Sequence, residues 1–419
     1  MNGQSSGVFY GWWVATTCMF TMSLTVGAFY YALPFLYPEI VKDMGFTREE
    51  AMRGFAIGFT VVALPFGIGA GTIIDRVGPK GVVRYGVLIV GGGLLLLGEV
   101  QTMFQYYAAC ITIVIGYVLS GPIPNQVLIA RWFSKMRGRA MGFVYFGLGI
   151  GGVVTTMVMP TLIENYGWRR AAQMLGAAIL LLIFPLVQFV TRSSPSEIGV
   201  GPDGGPPESA TGESSSAGSS SLTQALRTRN FWLLLGGTWF TLFTIGTVID
   251  NLVFHLNDQK FPVEKAKVVM TVILFSSLAG RLLVGYLADR ISKKNIMAVC
   301  YLALALSIPL LFLAPKASAV WGFAALFGFF MGADYMLIPL LVAECFGLAS
   351  LGKLLAVIIM GYSTGQFLGP QVGAALYDHF HSYDFAWIMV TAAGIMGATL
   401  IYFVSPPKKA EAGNESQQD

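Results

Sequence analysis

Apolar residues run along this chain in long blocks, and polar residues gather in the short segments between them. A helix that crosses the hydrocarbon core of a bilayer needs about 20 mainly apolar residues. Windows of that length fall near 11–36, 53–74, 82–101, 104–130, 139–163, 169–191, 230–255, 266–288, 295–314, 318–344, 352–377 and 385–404. They predict an all-α membrane protein with twelve transmembrane helices. Proline interrupts several windows, at Pro34, Pro65, Pro122, Pro124, Pro160, Pro339 and Pro370, and kinks are expected there because neighbouring helices can satisfy the freed backbone groups. Between the sixth and seventh windows the pattern stops. Residues 192–229 carry Pro-Ser-Glu, Pro-Asp-Gly-Gly-Pro-Pro and a run of serine, alanine and glycine, which cannot bury enough apolar surface to offset its ordering entropy. The chain is read as a six-helix bundle over 1–191, a flexible linker over 192–229, and a second six-helix bundle with a short tail over 230–419.

Composition agrees with the pattern and narrows the function. Of the 419 residues 55% are hydrophobic and 11% charged, and the mean hydropathy is +0.67. Soluble domains carry about 25% charged residues. A formal net charge of +4, scattered over short loops, gives no footprint for nucleic acid. Lysine and arginine favour one side of the bilayer, sixteen of the 26 falling in the loops, linker and tail that share a side with the N-terminus and nine on the other. By the positive-inside bias both termini and the linker are expected to be cytoplasmic. Cys18, Cys110, Cys300 and Cys345 show no disulfide or metal spacing, and His255, His379 and His381 map to outer loops or span ends. No nucleophile–base constellation, cofactor motif or phosphate-cradling loop occurs, so an enzyme is not expected.

One charge sits where apolar residues are required. Arg281 lies inside the eighth window, in Ser-Ser-Leu-Ala-Gly-Arg-Leu-Leu-Val-Gly-Tyr. Holding a charge at a helix centre costs about 2.5–3.5 kcal/mol on insertion scales, so such an arginine faces a wet cavity or a partner. It is the first candidate for binding an anion, the alternative being a buried ion pair that serves packing alone. Counting residues puts Arg281 and Asp334 at similar depths in the eighth and tenth windows, which makes Asp334 the candidate partner and Tyr335 a candidate hydrogen-bond donor to the anion. Asp250, near the outer end of the seventh window, is a second candidate to carry a proton, with Asn251 beside it. In the first half, Tyr31, Tyr117 and Asn125 are candidates to line the pathway, the last following the Pro122-Ile-Pro124 break.

The two halves also repeat. Gly71-Thr-Ile-Ile-Asp75-Arg76-Val-Gly-Pro-Lys80 closes the second window and Gly285-Tyr-Leu-Ala-Asp289-Arg290-Ile-Ser-Lys-Lys294 the eighth, 214 residues later. The same offset carries Gly147-x-x-x-Gly151 onto Gly361-x-x-x-Gly365, as expected of two pseudo-symmetric six-helix units. Asp75 and Asp289 are placed to bond neighbouring helix N-termini, and Arg76 and Arg290 to meet carbonyl or acidic groups at helix C-termini. With Gly71 and Gly285 they read as a conformational latch. Gly361, Gly365, Gly369 and Gly373 read as a close helix-packing seam.

These loop motifs, with Arg131-Trp132-Phe133-x-x-x-Arg137-Gly138-x-Ala140-x-Gly142, resemble the major facilitator superfamily over the whole chain except linker and termini. Tyr10-Gly11-Trp12-Trp13-Val14 and Arg281 resemble the bacterial branch of its monocarboxylate transporters. The resemblance implies the major facilitator fold, no cofactor, and a carboxylate held by Arg281, whose fork of N–H donors matches a planar carboxylate. The chain departs from that family where Ser277 stands in place of a proton-handling aspartate, where no lysine lies in the first window, and where Asn251 stands in place of a histidine. The expectation is a monomeric transporter in the bacterial inner membrane that moves a lactate- or pyruvate-like monocarboxylate with a proton. A proton-independent exchanger of oxalate- or formate-like anions, or a membrane anion sensor, are the alternatives.

Overall fold

The structure, a computed structural model, describes residues 9–58, 73–74, 76–206, 222–261, 263–313, 317–348 and 350–406. Ten stretches among them are long and apolar enough to cross a membrane: Gly11–Leu33, Pro79–Leu97, Met103–Trp132, Arg137–Val190, Arg229–Leu256, Val268–Ala288, Lys293–Leu313, Ser318–Phe346, Leu351–Phe380 and Asp384–Tyr402. Arg137–Val190 runs for 54 residues, too long for one crossing, and it turns at Gly167, whose φ of 77° and ψ of 160° leave the helical region. It supplies the fifth and sixth spans. Eleven of the twelve expected spans are thereby accounted for. The second lies mostly outside the described residues, with helix Arg48–Gly58 leading into it.

The prolines act according to where they fall. Span four breaks at Gly121, with φ −80° and ψ −151°, and restarts as Pro122–Trp132 with Pro122 in its first turn. There the missing N–H costs nothing and the ring sets a helical φ. Pro160, Pro339 and Pro370 lie inside continuous helices. Span one is a helix to Thr21, widens over Met22–Ala28, and continues as Phe29–Met44.

Small residues set the packing inside each half, and the two halves repeat it. Gly147 lies under the Met19 carbonyl and Gly151 under the Ser23 carbonyl, joining span five to span one. In the second half Gly365 lies against the Trp239 carbonyl, 2.7 Å from where a Cβ would stand, and Gly369 under the Phe243 carbonyl, joining span eleven to span seven. The backbones approach because no side chain intervenes.

The halves meet on the side that carries residues 131–139, 192–206 and 289–294, here termed the linker side. Gly138 and Gly142 of span five face Gly285 and the backbone of Arg281 in span eight, and a Cβ on Gly285 would stand 2.8 Å from the Gly138 carbonyl. Ile74, Val82, Ile123 and Val127 of the first half pack with Ala356 of the second. On the opposite side the core of the second half, built on Val248, Leu252, Phe323, Phe327 and Trp387, includes no described residue of the first. Among the described residues, the two halves are in contact on the linker side.

The linker itself differs from expectation over 192–206, which is docked. Trp132 donates its indole N–H to the Arg192 carbonyl at 2.9 Å. Asp203 accepts the Ser134, Lys135 and Met136 N–H groups at 2.9, 2.5 and 3.4 Å. A carboxylate aimed at three consecutive loop amides offsets the entropy that the composition argument counted alone. Residues 207–221 lie outside the described residues.

Gly285→Leu should wedge spans five and eight apart, with an overpacking penalty of roughly 1–3 kcal/mol. Cysteine labelling from the linker side should then rise, whereas Gly92→Leu, at a position with open space, should leave labelling unchanged.

Candidate functional site

Span eight has two working faces. Gly280 packs under the Phe329 carbonyl and Gly332 under the Ser277 carbonyl, so Ser277 and Gly280 face span ten. Arg281 is one residue further on, about 100° round the helix, and faces span five. There Gly142 leaves room for its backbone, and a Cβ on Gly149 would stand 2.7 Å from its Nη1. Nη1 donates to the Tyr145 carbonyl at 3.1 Å, while Nε has no hydrogen-bond partner among the described residues. Arg281 is 7% exposed. Among the described residues no carboxylate comes within 4.0 Å of it.

Asp334 is therefore not its partner, contrary to expectation. It is fully buried and accepts the Tyr301 hydroxyl, leaving Oδ2 without a partner. The depth count was sound, but the faces differ. Gly332 marks the side of span ten that meets span eight, and Asp334, two residues on, lies about 200° away, toward span nine.

Tyrosines occupy the space between the two charged groups. Tyr31, Tyr145 and Tyr335 are the electrostatic neighbours of the guanidinium. Tyr335 lies 6.4 Å, ring to ring, from Tyr362, and Tyr362 is in turn an electrostatic neighbour of Tyr117, Tyr145 and Asp334. With Tyr301 these make a cluster drawn from spans one, four, five, nine, ten and eleven. Gln126, which sequence reasoning passed over, belongs to it: its amide N–H donates to the Tyr145 hydroxyl and its Oε1 is buried without a partner. The available signal was a glutamine one residue after Asn125 in the restarted helix.

Other candidates fall elsewhere. Asn125 gives its amide to the Ser120 and Gly121 carbonyls, both at 2.7 Å, and so braces the break in span four. Asn251 donates to the Thr247 and Pro370 carbonyls at 2.9 and 3.3 Å and ties span seven to span eleven. Asp250 is exposed. His255, expected at a loop or span end, is buried there, with Nε2 3.3 Å from the Leu311 carbonyl and Nδ1 facing the Trp387 indole N–H at 3.3 Å. The apolar groove lined by Leu88, Gly92, Leu96, Thr112 and Gln173 is on the outer flank of the first half, away from Arg281.

On the linker side Asp289 reaches across the halves to the start of span five. Its Oδ1 accepts the Gly138 N–H at 2.6 Å and its Oδ2 the Arg139 N–H at 3.0 Å, with Arg139 Nε 3.4 Å away. Orphan N–H groups at a positive helix end attract a carboxylate on both counts and offset part of the cost of burying it. Gly285 beneath it gives the closeness this needs. Arg290, expected at a helix C-terminus, instead stacks over Tyr286 at 4.2 Å, and Arg139 lies 4.8 Å from the same ring. The carbonyl-capping role falls to Arg137, which donates to Phe133 and Ala130 at 2.8 and 3.1 Å. Arg76 is exposed, and Gly71 and Asp75 lie outside the described residues. The opening aromatic motif packs on the same region, Tyr10 against Trp132 and Trp12 against Phe133.

The sequence profile of the Major Facilitator Superfamily matches residues 17–261 and 252–419. The chain belongs to this superfamily, and it is a multi-pass membrane transporter rather than an enzyme. A fujikurins efflux protein of Gibberella fujikuroi is 26% identical, covering 80% of this chain and 71% of its own. Monocarboxylate transporter 12 of Rattus norvegicus is 24% identical, covering 96% of this chain and 86% of its own. In structure the chain is similar to a variant of the E. coli fucose:proton symporter FucP, with TM-score 0.72 at 12% identity over 94% of this chain and 98% of that one.

Burial holds the Asp289 carboxyl above its ordinary value, against the opposing pull of the Arg139 and Gly138 N–H groups. Ionised Asp289 is thus disfavoured by its surroundings, and stability tied to it is present at acid pH and lost as pH rises through its folded pKa. Asp289→Ala should destabilise the protein by about 1 kcal/mol, as for a lost helix cap. Asp289→Asn, which keeps one acceptor, should lose less. In thermal unfolding the wild type should gain on the Asn variant as pH falls through the carboxylate range.

Proposed function

We propose that this transporter carries a small organic monocarboxylate, lactate- or pyruvate-like, together with a proton across the bacterial inner membrane, as a monomer with termini and linker in the cytoplasm. The observation that carries the reading is Arg281, a buried guanidinium with an unpartnered Nε and no described carboxylate in ion-pair range. A buried charge left without a counter-ion is strongly destabilising. A visiting carboxylate supplies the counter-ion, and its two oxygens suit the free edge of the fork. One cation answers to one carboxylate. Similarity to monocarboxylate transporter 12 along nearly the whole chain is in keeping with this.

Asp334 is the proton carrier in this reading. It is sealed in the tyrosine cluster, whereas Asp250 is exposed. With the latch of Asp289, Gly285, Arg290 and their first-half counterparts, the halves rock about the seam of spans five and eight. Tyr31, Tyr117 and Tyr335 line the path, and Asn125 and Asn251 hold its walls. The separation of Arg281 from Asp334 favours a second reading, anion exchange without proton movement.

Arg281→Lys and Arg281→Ala should each reduce carboxylate accumulation in proteoliposomes by roughly a hundredfold, the effect of losing a buried, hydrogen-bonded charge pair. Normal accumulation by Arg281→Lys would sink the assignment. Asp334→Asn should keep counterflow at symmetric pH but lose uphill uptake driven by an inward proton gradient. Unchanged uphill uptake in that variant would favour exchange.

A further inference from the structure

Gln126 is the residue in this cluster whose chemistry the carboxylate reading leaves unused. It is 4% exposed, in the helix that restarts after Gly121. Its amide nitrogen donates to the Tyr145 hydroxyl, and Oε1 is buried with no partner among the described residues. Tyr145 is also the residue that meets Arg281, through its backbone carbonyl at 3.1 Å. One tyrosine therefore holds both orphan groups, a donor at Arg281 Nε and an acceptor at Gln126 Oε1, at its two ends. An unsatisfied acceptor in such a setting costs about 1–3 kcal/mol, so a ligand that meets it is selected over one that does not.

We infer that Gln126 is a specificity-determining residue and that the favoured substrate is a hydroxy-monocarboxylate, its carboxylate on Arg281 and its hydroxyl donating to Gln126 Oε1. This rests on the reading that Arg281 holds a carboxylate, and within that reading it replaces the lactate- or pyruvate-like substrate with a longer hydroxy acid. A hydroxyl is a donor and a keto oxygen is not, so the site as built discriminates against oxo acids. Because the two orphan atoms lie toward opposite ends of a tyrosine, the hydroxyl stands away from the carboxylate, at carbon 3 or 4 rather than carbon 2. Asn125 does not compete for this role, since its amide is turned into the break of its own helix.

The test is competition binding on the purified full-length protein with butyrate, 2-hydroxybutyrate, 3-hydroxybutyrate and 4-hydroxybutyrate, read as affinity ratios to butyrate. The wild type should bind the 3- or 4-hydroxy isomer about tenfold more tightly than butyrate, the worth of one satisfied buried acceptor. In Gln126→Leu that ratio should fall to about one. Gln126→Glu keeps an acceptor and should keep the ratio, and Tyr145→Phe, which frees the amide to turn, should lower it without any change at Gln126. Should the Leu variant fail to fold, the Glu and Phe variants still decide. A ratio that survives in Gln126→Leu overturns the inference, as does a wild type that binds butyrate and its hydroxy isomers alike. A purely structural Gln126 lowers all four affinities together and leaves the ratio. If the wild type binds none of the four, the carboxylate reading fails and the inference falls with it.

Discussion

A guanidinium held in the seam between the halves, with no counter-ion among the described residues, is the constraint on which the rest of this molecule depends. Arg281 can be kept there only because span five is built to receive it: Gly142 accommodates its backbone, Gly149 its head, and the Tyr145 carbonyl one of its N–H groups. One neutral hydrogen bond does not neutralise a full charge. The seam between the halves therefore carries an electrostatic demand that its own packing leaves unmet, and the tyrosine cluster around it supplies polarity without supplying charge.

The same seam has to open and close. Spans five and eight touch backbone to backbone at Gly138, Gly142 and Gly285. What gives the closed arrangement definition is directional: Asp289 on the N–H groups of Gly138 and Arg139. The carboxylate and the N–H groups belong to opposite halves, so this cap lasts only while spans five and eight stay together. Within each half, by contrast, the seams of spans five on one and eleven on seven join residues of a single bundle and need not break. The division between contacts made inside a half and contacts made across halves is what permits rigid-body motion.

Much of this was legible in the sequence, and the failures have a common cause. Hydropathy marks spans because the bilayer demands length and composition, and the loop motif marks Asp289 because an acid beside a helix N-terminus acts through backbone that every helix has. Rotation of a helix about its axis is another matter. Counting gives Asp334 the depth of Arg281 but not its face, which follows from where Gly328 and Gly332 let span eight approach. Gln126 was missed because its partner is on another span. Over 192–206 composition reports entropy and is silent on Asp203, which reaches three loop amides.

The separation of Arg281 from Asp334 bears on how two ligands can be linked in one chain. Direct competition, with one carboxylate holding the arginine until a proton releases it, requires the pair to meet, and here the two side chains leave span eight and span ten in different directions. The path that remains runs through shared neighbours: Tyr145 is an electrostatic neighbour of both groups, and Tyr301 is bound to Asp334. Linkage needs only that each ligand stabilise the same arrangement of the halves, not that they touch. A charge neutralised at Arg281 and a charge neutralised at Asp334 both remove the same kind of penalty from the sealed state. In the proposed symport each therefore favours the passage of the other through the common equilibrium of opening and closing, and the strength of that coupling is set by how much of each penalty is relieved when the halves part.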